Sequence, residues 1–271
     1  MGTLRFILCD AADGFRNMAE DEVLLEECER GHTAGALRVY QWDPPAVSLG
    51  YSQSEQLIDV EKCLVAGLNV VRRITGGGAV LHSEEITYCF VVRRELLNRS
   101  LWPRQFARLV GAAVVRGLRE VGVVAVLSSG GEGAETRDGS SPLCFTLATE
   151  NEVAVQGQKL AGCAHKFTKQ AYFSHGSIML GNSHARIVEF LKFKNTKADS
   201  LRVREGCISL SEVMEELPSP ESVGEGLRRG FETSFAIEFG EGRLSEHEDR
   251  LVQKKLNARR RRCGMGEWSF A

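Results

Sequence analysis

The stretch Arg72-Arg73-Ile74-Thr75-Gly76-Gly77-Gly78-Ala79-Val80-Leu81-His82 sets two arginines and three consecutive glycines ahead of an apolar run that ends in histidine. Successive glycines open positive φ to the backbone and let a ligand approach main-chain N–H groups with no Cβ in the way. The common phosphate loops do not fit, because no Lys-Ser/Thr follows the glycines and the spacing is not GxGxxG. Taken alone, the stretch is either a hairpin turn or a binding loop. Its neighbours place it between sheet elements: Asn69–Arg73 reads as a strand before it, and Thr87–Val92, rich in β-branched and aromatic residues, as a strand after it.

Working outward, strands and helices are mixed rather than repeated as βα units. Leu4–Cys9 reads as a strand, and Asn17–Cys28 as a helix with Met18, Val23, Leu24 and Leu25 on one face. Ala36–Gln41 and Ala46–Leu49 are short strands on either side of Asp43-Pro44-Pro45, where two prolines force a break. Leu57–Ala66 is a candidate helix ending at Gly67. Pro103–Val121 is an amphipathic helix in which Phe106, Leu109, Val110, Ala113, Val114 and Leu118 recur at helical spacing. This pattern predicts an α+β, or mixed α/β, fold in preference to a doubly wound sheet.

Composition bounds the function. The chain has 271 residues, 43% of them hydrophobic, enough for a substantial core in one large domain or in one domain with a small appendage; a single catalytic domain over 1–271 is expected, with a core over about 1–190 and a helical part over about 191–271. A formal net charge of −2 argues against a dedicated nucleic-acid binder. No apolar run is long enough to span a bilayer, and the start, Met1-Gly2-Thr3-Leu4-Arg5-Phe6, lacks a signal-peptide core, so a cytoplasmic address without membrane partners is expected. Eight cysteines without CxxC pairs suggest neither a zinc site nor a disulfide framework.

Two further segments carry chemistry. Residues Ser128 to Pro142 are too rich in glycine and serine to pack, and read as a surface loop. Leu143-Cys144-Phe145 follows at once, so a cysteine stands where the loop meets the next ordered element, a place that suits a nucleophile as well as a structural thiol. Downstream, Glu152–Val155 and Lys159-Leu160-Ala161-Gly162-Cys163-Ala164-His165 flank a Gln156-Gly157 turn and predict a β-hairpin with Lys159 at its rim. A rim lysine is ordinarily solvated, yet the small residues beside this one leave room for a ligand or a second backbone. Phe173-Ser174-His175-Gly176-Ser177-Ile178-Met179-Leu180 reads as the next strand of the same sheet.

In order along the chain stand Asn17-Met18-Ala19-x-Asp21-Glu22, Trp42-x-Pro44-Pro45-x-Val47-Ser48-Leu49-Gly50, Arg72-Arg73-x-Thr75-Gly76-Gly77-x-Ala79-Val80-x-His82, Gly157-x-Lys159-x-x-Gly162-x-Ala164 and His175-Gly176-Ser177-Ile178. This ordered set resembles the lipoate/biotin protein ligase superfamily, and within it the octanoyltransferases of the LipM type. Pro142-x-Cys144-Phe145 and Glu152 are similar to the transferase pattern. Asn151-Glu152 is a partial match to the Asn-Asp pair of the ATP-dependent ligases. Cys163 and His165 depart from the Ser and Gln often found in such proteins.

The resemblance implies an enzyme that moves an octanoyl group from octanoyl-acyl carrier protein, through a thioester on Cys144, to a lysine of a lipoyl domain. Acceptors would be the lipoyl domains of 2-oxoacid dehydrogenases or the glycine cleavage H protein. Lys159 would support the thiolate and the oxyanion. Arg72, Arg73, Thr75, Gly76, Gly77, Gly78, His82, Gly162, Ala164, His175 and Gly176 would form the substrate site. For His82 and His175 a hydrogen-bonded structural role stands level with direct catalysis. A thioester donor already holds the free energy of amide formation, so neither a cofactor nor a metal is expected; ATP and magnesium enter only if the chain is a lipoate ligase. An octanoyl amidotransferase acting between lipoyl-bearing proteins would share the same chemistry. In the tail, helices are expected over Leu201–Leu217 starting near Ser209, from Pro220 to Phe235, and over Ser245–Arg262. The last ends in Lys254, Lys255 and Arg259–Arg262, either a solvated face or a docking surface for acidic carriers.

Overall fold

The long apolar strand around which everything else packs follows the glycine loop in sequence. The structure, a computed structural model, describes residues 3–97, 101–129, 151–192 and 203–264, with side chains to 259. Its strands are β1 (Leu4–Leu8), β2 (Gly35–Tyr40), β3 (Ala46–Leu49), β4 (Asn69–Arg72), β5 (Val80–His82), β6 (Glu85–Arg93), β7 (Val126–Leu127), β8 (Val153–Val155), β9 (Gln158–Phe167), β10 (Ala171–Met179) and β11 (Phe239–Glu241). The helices are α1 (Gly14–Glu29), α2 (Val60–Val65), α3 (Pro103–Glu120), α4 (Leu210–Val213), α5 (Pro220–Phe235) and α6 (Glu246–Gly264).

Eight strands form one mixed sheet in the order β11-β1-β2-β6-β10-β9-β8-β7, and β4-β3-β5 form a second, smaller one. All residues of β6 but the last are buried, which requires cover on both faces. One face is covered by α3 and α5, whose Phe106, Phe231 and Phe235 gather around Phe90 of β6 with ring centroids 4.7–6.2 Å apart. The other is covered by α1 through Met18, Leu24 and Leu25. Such ring clusters are worth about 0.5–1.5 kcal/mol per pair beyond the area they bury. The mixed α+β class expected from the sequence is thus the observed one.

Three expectations are corrected. The tail is not purely helical, because Phe239–Glu241 adds a parallel strand beside β1, and Val223, Leu227 and Phe231 of α5 belong to the main core. The helix expected over Leu57–Ala66 is divided into a 3-10 turn, Glu55–Leu57, and α2; Ile58 between them is extended, and Asp59 caps α2 by accepting from the Lys62 amide at 3.1 Å. The basic end of α6 is in part consumed internally. Lys255 bonds Glu26 at 2.6 Å and Glu22 at 3.2 Å, and Arg259 also pairs with Glu22, tying α6 to α1 over a seam of Val23, Val252 and Leu256.

Candidate active site

The two sheets meet where the glycine loop, the ends of β3 and β5 and the middles of β9 and β10 converge. There a cavity of about 420 Å³, counting its open mouth, is walled by Met18, Tyr40, Trp42, Arg73, Val80, His82, Thr87, Gly162, Cys163, Ala164, His175, Gly176 and Ser177. Its walls are mostly apolar, with a few polar side chains converging on it. Room for it comes from antiparallel pairing of β9 with β10, which sets Gly162 opposite Ser177 and Ala164 opposite His175. Gly176 is forced by the same packing: a Cβ there would stand 2.7 Å from the Gly162 carbonyl oxygen and 2.7 Å from the Tyr88 hydroxyl. Gly176→Val should therefore cost at least about 1–3 kcal/mol of stability by overpacking, read as a lowered denaturation midpoint; an unchanged midpoint would show that the wall yields.

Two buried polar chains hold this wall. Glu85, at the start of β6, accepts on one carboxylate oxygen from His82 Nδ1 at 2.7 Å, Thr87 Oγ1 at 2.6 Å and Ser177 Oγ at 2.7 Å. Burial pushes its pKa up, but His82 and the two hydroxyls outweigh burial and hold it below the usual carboxylate value. An ionised carboxylate only accepts, so His82 carries a proton on Nδ1, and its Nε2 lies 2.7 Å from the Ser48 hydroxyl. Ser48 Oγ in turn accepts from Arg73 at 3.0 Å, while the other guanidinium nitrogen of Arg73 donates to the carbonyls of Gly76 at 2.9 Å and Gly78 at 2.7 Å. Trp42 stacks on His82 at 4.1 Å and donates to Thr87 at 2.7 Å.

The second chain fixes the loop from the opposite side. Thr75 Oγ1 lies 2.7 Å from His175 Nε2, and His175 Nδ1 lies 3.2 Å from Asp21 of α1. Burial lowers the pKa of His175 more than Asp21 restores it, so the ring is neutral near pH 7 and Thr75 donates to it. Asp21 also accepts from Tyr40 at 3.0 Å and from the fully buried Arg38 at 2.9 Å. Burial alone would raise the Asp21 pKa; the hydrogen bond from His175 and the Arg38 charge bring it below its ordinary value. Both nitrogens of His82 and of His175 are thus engaged in shaping the wall and holding the loop.

The candidate residues fall into three groups. Arg73, His82, Gly162, Ala164, His175 and Gly176 are brought together around the cavity. Thr75, Gly76, Gly77 and Gly78 form the loop that Arg73 and His175 hold, with Gly77 at φ 97°. Arg72 points elsewhere, donating to the carbonyls of Gly50, Tyr51 and Gln53 at 2.8–3.1 Å, so it braces the segment after β3 and does not line the cavity.

Lys159 is not the solvated rim residue its hairpin position suggests. Gln156 and Gly157, with φ of 52° and 82°, make the expected tight turn, but the Lys159 side chain is fully buried, with Nζ donating to Glu152 Oε1 at 2.6 Å. A paired carboxylate seven residues upstream is what makes that burial tolerable. Cys144 lies in 130–150, outside the described residues. The residues flanking that segment are held together at the sheet edge, where the Ser128 amide donates to the Glu152 carbonyl at 2.8 Å and the Asn151 amide to the Ser128 carbonyl at 3.0 Å.

The sequence reading missed Tyr40, Thr87 and Ser177 in the wall and Glu85 and Arg38 behind it. Only Arg38 carried a local signal, a charge inside the otherwise apolar strand Gly35–Tyr40, which demands a buried partner. Cys163, read only as a departure from the family pattern, is a second thiol of the wall, 3.6 Å from His165 Nε2. Burial, with a smaller contribution from His175, pushes His165 down to about 4, leaving it neutral.

This architecture is that of a lipoyl protein ligase catalytic domain. A crystal structure of lipoate-protein ligase A bound with ATP superposes with a TM-score of 0.75 at 23% identity over 94% of each chain. The bipartite lipoate protein ligase from Thermoplasma acidophilum, described with its E2 lipoyl domain, gives 0.76 at 22% identity over 95% of this chain and 93% of that one. In sequence, residues 13–232 match the lipoyl protein ligase A/B catalytic domain. The octanoyltransferase LipM of Moorella thermoacetica is 34% identical over 95% of both chains, and that of Kyrpidia tusciae 33% identical over 94% of this chain and 96% of its own. The chain therefore belongs to the lipoyl protein ligase A/B catalytic-domain family and, within it, groups with the LipM octanoyltransferases. Among the described residues no helix is long and apolar enough to cross a membrane.

Proposed function

We propose that this acyltransferase takes an octanoyl group from octanoyl-acyl carrier protein onto Cys144 and delivers it to the lysine of a lipoyl domain. The observation that carries the reading is the mostly apolar, open-mouthed cavity lined in part by the small residues Gly162, Ala164 and Gly176, a surface suited to an acyl chain. In the first step the Cys144 thiolate attacks the thioester carbonyl, its bond to the acyl carbon forms, and the carrier sulfur leaves as a thiolate that takes up the proton Cys144 had released. In the second the acceptor lysine amine attacks the acyl-enzyme, loses a proton and regenerates the Cys144 thiol. Each step passes through an oxyanion that backbone N–H groups of the glycine loop or the Lys159 ammonium would stabilise, a type of contact worth about 3–4 kcal/mol per donor.

Both steps exchange one activated acyl bond for another or for an amide, so no nucleotide is required. The partial match to the ligase Asn-Asp pair supports this, since Glu152 is drawn onto Lys159. Octanoylation of a lipoyl domain should therefore proceed from octanoyl-acyl carrier protein with ATP and magnesium withheld. Product that forms only from free octanoate or lipoate with ATP and magnesium would replace this reading with the ligase one. The salt dependence of encounter should be modest, because Lys255 and Arg259 already serve Glu22 and Glu26.

A further inference from the structure

Away from the cavity, and sharing no residue with it, three potential metal ligands converge from distant parts of the chain. Glu27 lies in the last turn of α1, His32 just beyond that helix, and His247 at the start of α6. His32 Nδ1 is 2.7 Å and His247 Nε2 3.3 Å from the same atom, Glu27 Oε2. The other carboxylate oxygen is taken by Arg30 at 2.7 Å, so the two oxygens are divided, one for a cation already present and one facing two imidazoles. The carboxylate is buried, 1% exposed, whereas the two rings are 59% and 56% exposed.

We propose that Glu27, His32 and His247 form a binding site for a divalent transition-metal ion of the zinc type. The donor set, two imidazole nitrogens and one carboxylate oxygen, is the set that zinc accepts, with a fourth position left to water on the exposed side. The donor atoms lie within 4.8 Å of one another. Tetrahedral ligands about 2.0–2.1 Å from zinc stand about 3.3 Å apart, so the site closes with ring movements on the order of 1 Å. The ring nitrogen of each imidazole that faces Glu27 gives up its proton on binding and offers the lone pair to the metal, while Glu27 stays ionised. The backbone prepares the arrangement, because the His32 amide donates to the Glu27 carbonyl at 2.9 Å and the rings already meet edge to face at 6.4 Å. A metal here would clip the C-terminal helix to the end of α1, reinforcing the seam that Lys255 and Arg259 make farther along.

The test uses the full chain without an affinity tag, titrated with Zn²⁺ against a chromophoric chelator, beside His32→Ala and His247→Ala. Both histidines are surface residues remote from the cavity wall, and unchanged octanoyl transfer would confirm that the variants fold. One equivalent of Zn²⁺ bound at micromolar concentration, weakened by more than about tenfold in each variant, with a Zn²⁺-dependent rise in melting temperature confined to the wild type, is the expected result. Substitution with Co²⁺ should give visible d–d bands without thiolate charge transfer. Equal affinity in wild type and both variants, or no binding at millimolar Zn²⁺, would overturn the proposal. So would a thiolate charge-transfer band that persists in the variants, because it would place the metal on cysteine.

Discussion

Cys144→Ala should lower octanoyl transfer from acyl carrier protein by at least about a thousandfold, since covalent catalysis loses its nucleophile and the remaining groups supply only binding and oxyanion contacts. Cys144→Ser should be nearly as impaired, because an alkoxide is far harder to form at neutral pH than a thiolate and gives a poorer leaving group in the second step. Neither variant should change the free energy of unfolding by more than about 0.5 kcal/mol if the site lies apart from the packed core. Steady-state rates with octanoyl-acyl carrier protein and a lipoyl domain, measured beside thermal or urea unfolding, check both statements. Because Cys163 lines the cavity beside His165, Cys163→Ala belongs in the same series and should retain most of the activity.

Lys159→Met should show the second large effect, and on two readouts at once. The substitution leaves Glu152 buried without its 2.6 Å partner, which should cost about 3–5 kcal/mol of stability. Transfer should fall as well, by about a hundredfold if the ammonium stabilises thiolate and oxyanion. The two roles separate in the double variant Lys159→Met/Glu152→Gln, which removes both charges; stability should largely return while transfer stays low. Alkylation of Cys144 by iodoacetamide at neutral pH gives a third measure, expected to slow in both variants. Full recovery of transfer in the double variant would mean that the lysine serves the fold alone.

Much of the fold was legible because local signals agreed with tertiary demands. Ala46–Leu49 between prolines and Gly50, Pro103 opening an amphipathic helix, and the Gln156-Gly157 turn each carried its own chemistry, and each element stands where the pattern put it. Phe239–Glu241 was not legible, because three residues with a central glycine have no strand pattern of their own; the parallel edge offered by β1 makes them a strand. The boundary in Leu57–Ala66 was hidden for a related reason, since Ile58 is drawn out of the helix into a bridge with Leu191, a residue far along the chain.

Around the cavity, the residues carried by a recognisable motif were named from the sequence, whereas Tyr40, Glu85 and Thr87, which stand outside those motifs, were not. Thr75, His175 and Asp21 each belong to a recognisable motif, but their joining into one chain depends on α1 packing over β10. Glu85 had no distinguishing sequence context, although it organises His82, Thr87 and Ser177. The burial of Lys159 turned on Glu152 lying across a bulged hairpin, a matter of register that composition does not encode. Placing Arg72 and Arg73 together as ligand contacts overlooked strand alternation, which sends their side chains to different partners: Arg73 to the glycine loop, Arg72 to the turn after β3.

The acyl-enzyme itself gives the most direct test. Wild-type protein mixed with octanoyl-acyl carrier protein, in the absence of lipoyl domain, ATP and magnesium, should gain the mass of one octanoyl group in an intact mass spectrum. Peptide mapping should place that group on Cys144, hydroxylamine should remove it, and a lipoyl domain should discharge it at a rate that matches turnover. No adduct under these conditions, or an octanoyl group that maps to Cys163 and is still formed by Cys144→Ala, would contradict the account.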